Sequence, residues 1–319
     1  GDHFVNYVSE NFFKDKNVWA ITEDKHQRYW FGTNEGITLY DPDLGIPWFY
    51  HGETHNIGNQ VRFIVNDRDS NLWVGTDFRG VFRFDYRIND FVLDREVNDI
   101  LPNLKMLTGL TVDKDNNLWI GTTDGLAMWD IDERQGRRYT GIDGLAGRVI
   151  TSVFVDSAGD IWIGSEREEG LTRYDSESKK FTIIKYGYKL SPTCITETRD
   201  GTMWIGTRYG VFGLRNDTIR IHLTEKDGLL SNNINLLQPD YMGALYIGTN
   251  NGLNRYNLKE QTIKTYTETN GFVGIETKRN AAFRDTEGHL WFGTANGATM
   301  LAPERIPPPD TIPLTHIKG

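Results

Sequence analysis

One cysteine, Cys194, stands alone among 319 residues. A disulfide framework and a multi-thiolate metal site are therefore excluded. No run of 18 apolar residues occurs, so the chain encodes no helical membrane span. Gly1 to Glu10 is polar and mixed, without a signal-peptide pattern. That is expected if a leader was removed or the chain is an excerpt. Positive charge is also short: 35 Lys and Arg against 44 Asp and Glu leave a net −9. Such a balance argues against nucleic acid as a partner, because phosphate needs a basic footprint. It argues equally against docking on anionic lipid. No sustained 3.6-residue apolar period exists, which disfavours helical solenoids. Neither a G-x-S-x-G elbow nor a glycine-rich phosphate loop is present.

Glycine and aromatic residues are plentiful: 33 Gly, 9 Trp, 14 Tyr and 16 Phe, within a chain only 38% hydrophobic. That mixture fits many short strands joined by tight turns. A repeat organises it. YWFGT ends at Thr33, LWVGT at Thr76, LWIGT at Thr122, IWIGS at Ser165, MWIGT at Thr207, LYIGT at Thr249 and LWFGT at Thr294. Their glycines are spaced 43, 46, 43, 42, 42 and 45 residues apart. A second glycine trails each string (Gly36, Gly80, Gly125, Gly170, Gly210, Gly252, Gly297). Six residues before the aromatic lies Asp24, Asp67, Asp113, Asp156, Asp240 or Asp285, with Thr198 in the fifth copy.

Each unit reads as four strands, a to d. In the second, Gln60–Asn66 is a, Leu72–Thr76 is b, Gly80–Asp85 is c, and Phe91–Leu93 begins d. A period of roughly 40 to 45 residues with four strands per unit is propeller spacing. Strand b is apolar on both faces, as sheets packed from both sides require. The motif glycine is expected to admit close approach of a neighbouring backbone. The seventh unit stops after strand c, at a proline-rich exit that cannot continue a central strand. His3–Tyr7 has the pattern of the missing d strand. The expected fold is therefore an all-β, seven-bladed β-propeller of four-stranded antiparallel blades, its ring closed by the N-terminal strand.

The repeat, V-x-x-I-x-x-D-x-x-G-x-L-W-x-G-T followed by G-L, resembles the two-component regulator propeller family over about residues 3 to 303. The resemblance implies the periplasmic sensor propeller of a membrane-bound histidine kinase, of the hybrid kind common in Bacteroidetes. It places the propeller at 1–303, with 304–319 a linker and the start of an immunoglobulin-like domain. It also implies a small-molecule or oligosaccharide ligand, a possible homodimer of the full receptor, no cofactor, no catalysis by this domain and no membrane insertion by this segment. Two departures are minor: Gln27 stands where later repeats have Gly159, Gly201, Gly243 and Gly288, and Ala298 where the family prefers Leu.

Topology puts the b–c turns and d–a loops on one face. The a–b turn keeps one length, as a structural turn should, whereas the b–c loop varies. Binding residues concentrate on loops presented by a rigid scaffold. The candidates are Phe78, Arg79, Arg167, Arg208 and Tyr209 from b–c loops. Arg148, Asn232, Arg279 and Asn280, at the starts of strands a, are expected to point to the axial channel. Flat rings and forked donors suit a sugar or an anionic sugar. His51-Gly52-Glu53-Thr54-His55 is not the helical zinc pattern, the glutamates of 166–169 read as a solvated loop, and Cys194 reads as a small buried hydrophobe. The alternative functions are a propeller lyase or hydrolase, which needs convergent acid and base groups in the channel, and a protein-interaction scaffold.

Overall fold

The computed structural model describes residues 3–302 apart from Glu53, Asn59, Leu104, Lys105 and Arg167. Strands assemble into seven antiparallel four-stranded sheets. The inner strands, a, are Val18–Glu23, Val61–Asn66, Leu107–Val112, Ile150–Val155, Cys194–Glu197, Ile234–Pro239 and Thr277–Arg284. Each contacts its neighbours around a ring, so they enclose an axial channel. The closing prediction holds. His3–Tyr7 pairs with Gly297–Ala302 as the outer strand of blade 7, from His3 opposite Ala302 to Tyr7 opposite Ala298. The expected linker, 304–319, lies outside the described residues.

The tryptophan motif has a physical explanation. Strand b is fully buried in every blade, and the indoles of Trp30, Trp73, Trp119, Trp204 and Trp291 are at most 1% exposed. A buried indole N–H needs an acceptor. Asp67 supplies one: its Oδ2 accepts from Trp73 Nε1 at 2.9 Å, while Oδ1 accepts from the backbone N–H groups of Asp69 and Asn71. One carboxylate thus closes the a–b turn and satisfies the tryptophan, which fixes the six-residue spacing. Asp24, Asp113, Asp156 and Asp285 do the same for Trp30, Trp119, Trp162 and Trp291. In blade 5 the task is divided. Thr198 Oγ1 accepts from Trp204, and Asp200 accepts from the turn backbone.

The motif glycine lies where the next blade's inner strand seats its first residue. A Cβ on Gly32 would stand 2.7 Å from Val61 Cγ1, and one on Gly121 2.9 Å from Ile150 Cγ2. The close approach exists, but side chains make it rather than the backbone expected; of the motif glycines, only at Gly293 is the nearest atom a backbone one, Val18 O of the adjoining blade. The motif threonine folds back on the b–c turn: Thr76, Thr122 and Thr207 each donate Oγ1 to the carbonyl of the trailing glycine.

Candidate functional site

The b–c turns and d–a loops do share one face. Backbone bonds join them, within a blade as from Asp77 N to Gln60 O, and to the loop entering the next blade as from Gly210 N to Asn232 O and Gly297 N to Lys16 O. This face surrounds the upper mouth of the channel. The channel is a cavity of about 500 Å³ walled by the inner strands, with Ile21, Ile64, Leu110, Ile195 and Leu237 among its apolar lining. Cys194 also lines it, with its thiol pushed up to about 12 by burial.

Bulged residues build the mouth. Five inner strands carry a register shift after their first residue, which leaves Trp19, Arg62, Thr108, Thr151 and Asn235 outside the ladder. A bulge re-aims a side chain, and bulges are enriched beside active sites. Three of these residues reach the first residue of their own b–c turn. Trp19 Nε1 donates to Asn34 at 2.9 Å, Arg62 makes two 2.8 Å bonds to Asp77, and Asn235 Nδ2 donates to Asn250 at 2.7 Å. The Arg62 guanidinium also lies 3.8 Å over the Trp19 ring, and Lys278 Nζ lies 4.8 Å from it.

Blades 5 and 7 break this pattern. The ladder of blade 5 begins at Cys194 opposite Gly206, and the residue before it, Thr193, bonds the carbonyls of Gly206 and Ile234 rather than the b–c turn. That of blade 7 runs from Thr277 to Ala282 while its partner runs only from Thr294 to Phe292, so it carries two more residues than its counterparts. The extra backbone holds Arg279 and Asn280, with Asn280 at φ +59°. Ile275, just upstream, has φ +56°, a genuine outlier for a β-branched residue. Such strain concentrates at functional sites. Arg279 lies near Arg208 and Cys194 of blade 5, and burial together with Arg208's like charge lowers its pKa.

A second cavity of about 230 Å³ occupies the mouth, lined by Trp19, Arg62, Phe63, Asp77, Thr108 and Asn280 together with Met106, Leu107 and Arg279. Phe78 and Arg79 line a separate cleft of about 560 Å³ between blades 1 and 2, with Asp15 and Glu35. Phe78 is 65% exposed and Tyr209 62%.

The nine predicted site residues thus divide. Arg279 and Asn280 line the mouth as expected; Arg208 lines neither the channel nor the mouth cavity and acts there only through its like charge on Arg279. Phe78, Arg79 and Tyr209 share the face but are not among the residues of the mouth cavity. Two need correction. Arg148, at the entrance of blade 4's inner strand, is held by Asp124 of the blade 3 b–c turn at 2.6 Å, and Asn232 caps the turn at Glu225; neither lines the channel. Their polarity is consumed by local turns. Arg167 lies outside the described residues. The bulged residues Trp19, Arg62 and Thr108 were missed.

The architecture is that of a seven-bladed propeller with an open, cation-bearing mouth. The comparisons refine this class. Residues 13–35, 57–78, 100–124, 144–167 and 190–209 match the two-component regulator propeller repeat, so five of the seven blades carry the repeat of that family. It is 25% identical over 309 residues to histidine kinase P4 of Formosa agariphila, covering 91% of this chain but only 22% of that protein. Its fold is similar to the extracellular domain of a hybrid two-component system from B. thetaiotaomicron, with TM-score 0.80, 22% identity, and coverage of 94% of this chain and 41% of that one. Virginiamycin B lyase from Staphylococcus aureus shares the fold at 15% identity and TM-score 0.74, covering 95% of this chain and all of the lyase. The chain therefore spans about a fifth of the kinase it matches and two fifths of that extracellular domain.

Proposed function

We propose that this propeller is the extracytoplasmic sensing domain of a membrane-bound two-component histidine kinase. Its ligand is a small molecule, with oligosaccharides the favoured class, bound on the face of b–c turns and d–a loops. The family repeat, together with an alignment to a histidine kinase over 91% of this chain, carries the reading. Among the described residues, no helix is long and apolar enough to cross a membrane. The rigid ring would pass ligand occupancy to a following domain and, in a receptor dimer, shift the balance between two arrangements. Ligand can do so only as far as it prefers one of them.

A lyase reading draws on the fold likeness alone. The lyase complex with quinupristin is of a catalytically inactive histidine-to-alanine variant. No histidine is among the residues lining this channel or its mouth. The sensor reading therefore takes precedence.

The reading frame beyond Gly319 provides the test. It is expected to encode a membrane span followed by a kinase module. A stop codon shortly after Gly319 would overturn the proposal.

A further inference from the structure

Arginines in this chain are usually matched with acids. Arg28, Arg62, Arg68, Arg83, Arg134, Arg173 and Arg215 each pair with an aspartate within 3.3 Å. With nine more acids than bases, partners are abundant. Arg208 and Arg279, like Arg79, Arg95, Arg199, Arg220 and Arg284, are not so matched, but these two also share one neighbourhood. Neither makes an ion pair or side-chain hydrogen bond among the described residues, yet they lie close enough to repel each other. Like charges set together without a counterion cost stability.

The register explains how this arises. Arg208 is the first residue of the blade 5 b–c turn, the position that Asn34, Asp77 and Asn250 hold in blades 1, 2 and 6. There a bulged inner-strand residue bonds to it. In blade 5 that position is Thr193, whose Oγ1 donates to the carbonyls of Gly206 and Ile234 instead, so Arg208 has no partner from it. The two-residue enlargement of blade 7 supplies Arg279 in its place, a second cation rather than an acid.

The neighbouring cavity adds donors without adding a free acceptor charge. Arg62 Nη1 and Thr108 Oγ1 are buried without a hydrogen-bond partner, and both residues line the 230 Å³ mouth cavity beside Arg279 and Asn280. Its one carboxylate, Asp77, is engaged by Arg62 through both oxygens. Phe63, Met106 and Leu107 give it an apolar wall. Orphaned donors in a roomy cavity mark a place where an acceptor is missing.

We propose that the channel mouth is an anion-recognition site, in which Arg279 holds a carboxylate or sulfate group of the ligand, Arg208 adds positive charge from blade 5, and Arg62, Thr108 and Asn280 bond the polar groups next to it. Guanidinium forks suit such oxyanions, and charge-assisted bonds are the strong ones. The inference rests on the sensor reading for its biological use, and names the ligand class as an acidic sugar rather than a neutral one.

The test measures melting temperature and calorimetric affinity of this chain with digalacturonate, inorganic sulfate and neutral cellobiose. Digalacturonate is expected to raise the melting temperature, sulfate to do so more weakly at higher concentration, and cellobiose to have no effect. Arg279→Gln is expected to weaken digalacturonate at least tenfold, and Arg208→Gln to weaken it by a smaller factor. Arg279→Gln is also expected to raise the melting temperature of the ligand-free chain, because it removes a confined repulsion. That second readout shows that the variant folds. Equal binding of cellobiose, no response to either anion, or undiminished binding by Arg279→Gln overturns the anion site. None of these results touches the sensor reading, which stands or falls on the frame past Gly319.

Discussion

Single residues carry more of this fold than their frequency suggests. The aspartate of the repeat was legible as a turn former, but its second task was not. That Asp67 also accepts from Trp73 follows only once strand b returns beside the turn. The identity of Cys194 was legible too: an isolated thiol among apolar strand residues is a buried hydrophobe, and it is 3% exposed. Its raised pKa, about 12 through burial, has a defined sign. The folded state favours the neutral thiol. The resulting stabilisation is complete below the ordinary thiol range and declines from about pH 9 towards 12 as the unfolded chain alone ionises. Urea titrations at pH 8 and 10.5 are expected to show this loss, and Cys194→Ala to reduce it. Iodoacetamide at pH 8 is expected to label the thiol only after unfolding.

At the scale of elements, departures in spacing proved more informative than the consensus. The interval of 46 from Gly75 to Gly121 accommodates the short helix Arg95–Asp99, capped by Asp94, in the d–a loop. The interval of 45 from Gly248 to Gly293 includes the blade 7 enlargement that presents Arg279 and Asn280. Length alone cannot distinguish extra loop from extra strand backbone, so the mouth was not legible from it. The bulged positions were hidden for another reason. Trp19 and Arg62 interrupt apolar alternation, which looks like irregular strand rather than a ring of mouth residues. The a–b turn yields a sharper expectation. Its fourth residue has positive φ in every blade: Gln27, Ser70 and Asn116 in the first three, then Gly159, Gly201, Gly243 and Gly288. A left-handed conformation costs a side-chain-bearing residue roughly 1 kcal/mol. Gln27→Gly is expected to stabilise the chain by up to about 1 kcal/mol, a rise in melting temperature of about 2 °C readable by calorimetry.

For the whole molecule, the ring depends on its first strand. The missing d strand of unit seven and the pattern of His3–Tyr7 made closure legible from sequence, since an open ring would expose two edges. The structure adds how firmly the seam is held. Phe4 packs edge-on against Tyr266 of blade 6 at 5.2 Å, Tyr7 stacks on Trp291 at 5.4 Å, and Asn6 accepts from Thr299 and donates to Gly271. Removing residues 1–9 is expected to lower the melting temperature by roughly 10 °C or more, from the lost ladder and aromatic contacts. A synthetic peptide of those nine residues should restore part of the loss by refilling the vacant edge. An unchanged melting temperature would contradict the closure role.

The opposition of His3 and Ala302 at the end of that seam has a mechanical consequence. Because the two strands are antiparallel and their outer ends lie side by side, a pull applied between His3 and Ala302 loads one rung at a time. The rungs would part in sequence from that pair towards Tyr7 and Ala298, as a zip opens, rather than yielding together as they would in shear. Whatever is tethered at both ends of this propeller therefore meets its weakest direction at one corner of blade 7, where tension would undo the ring while the other six blades carried almost no load.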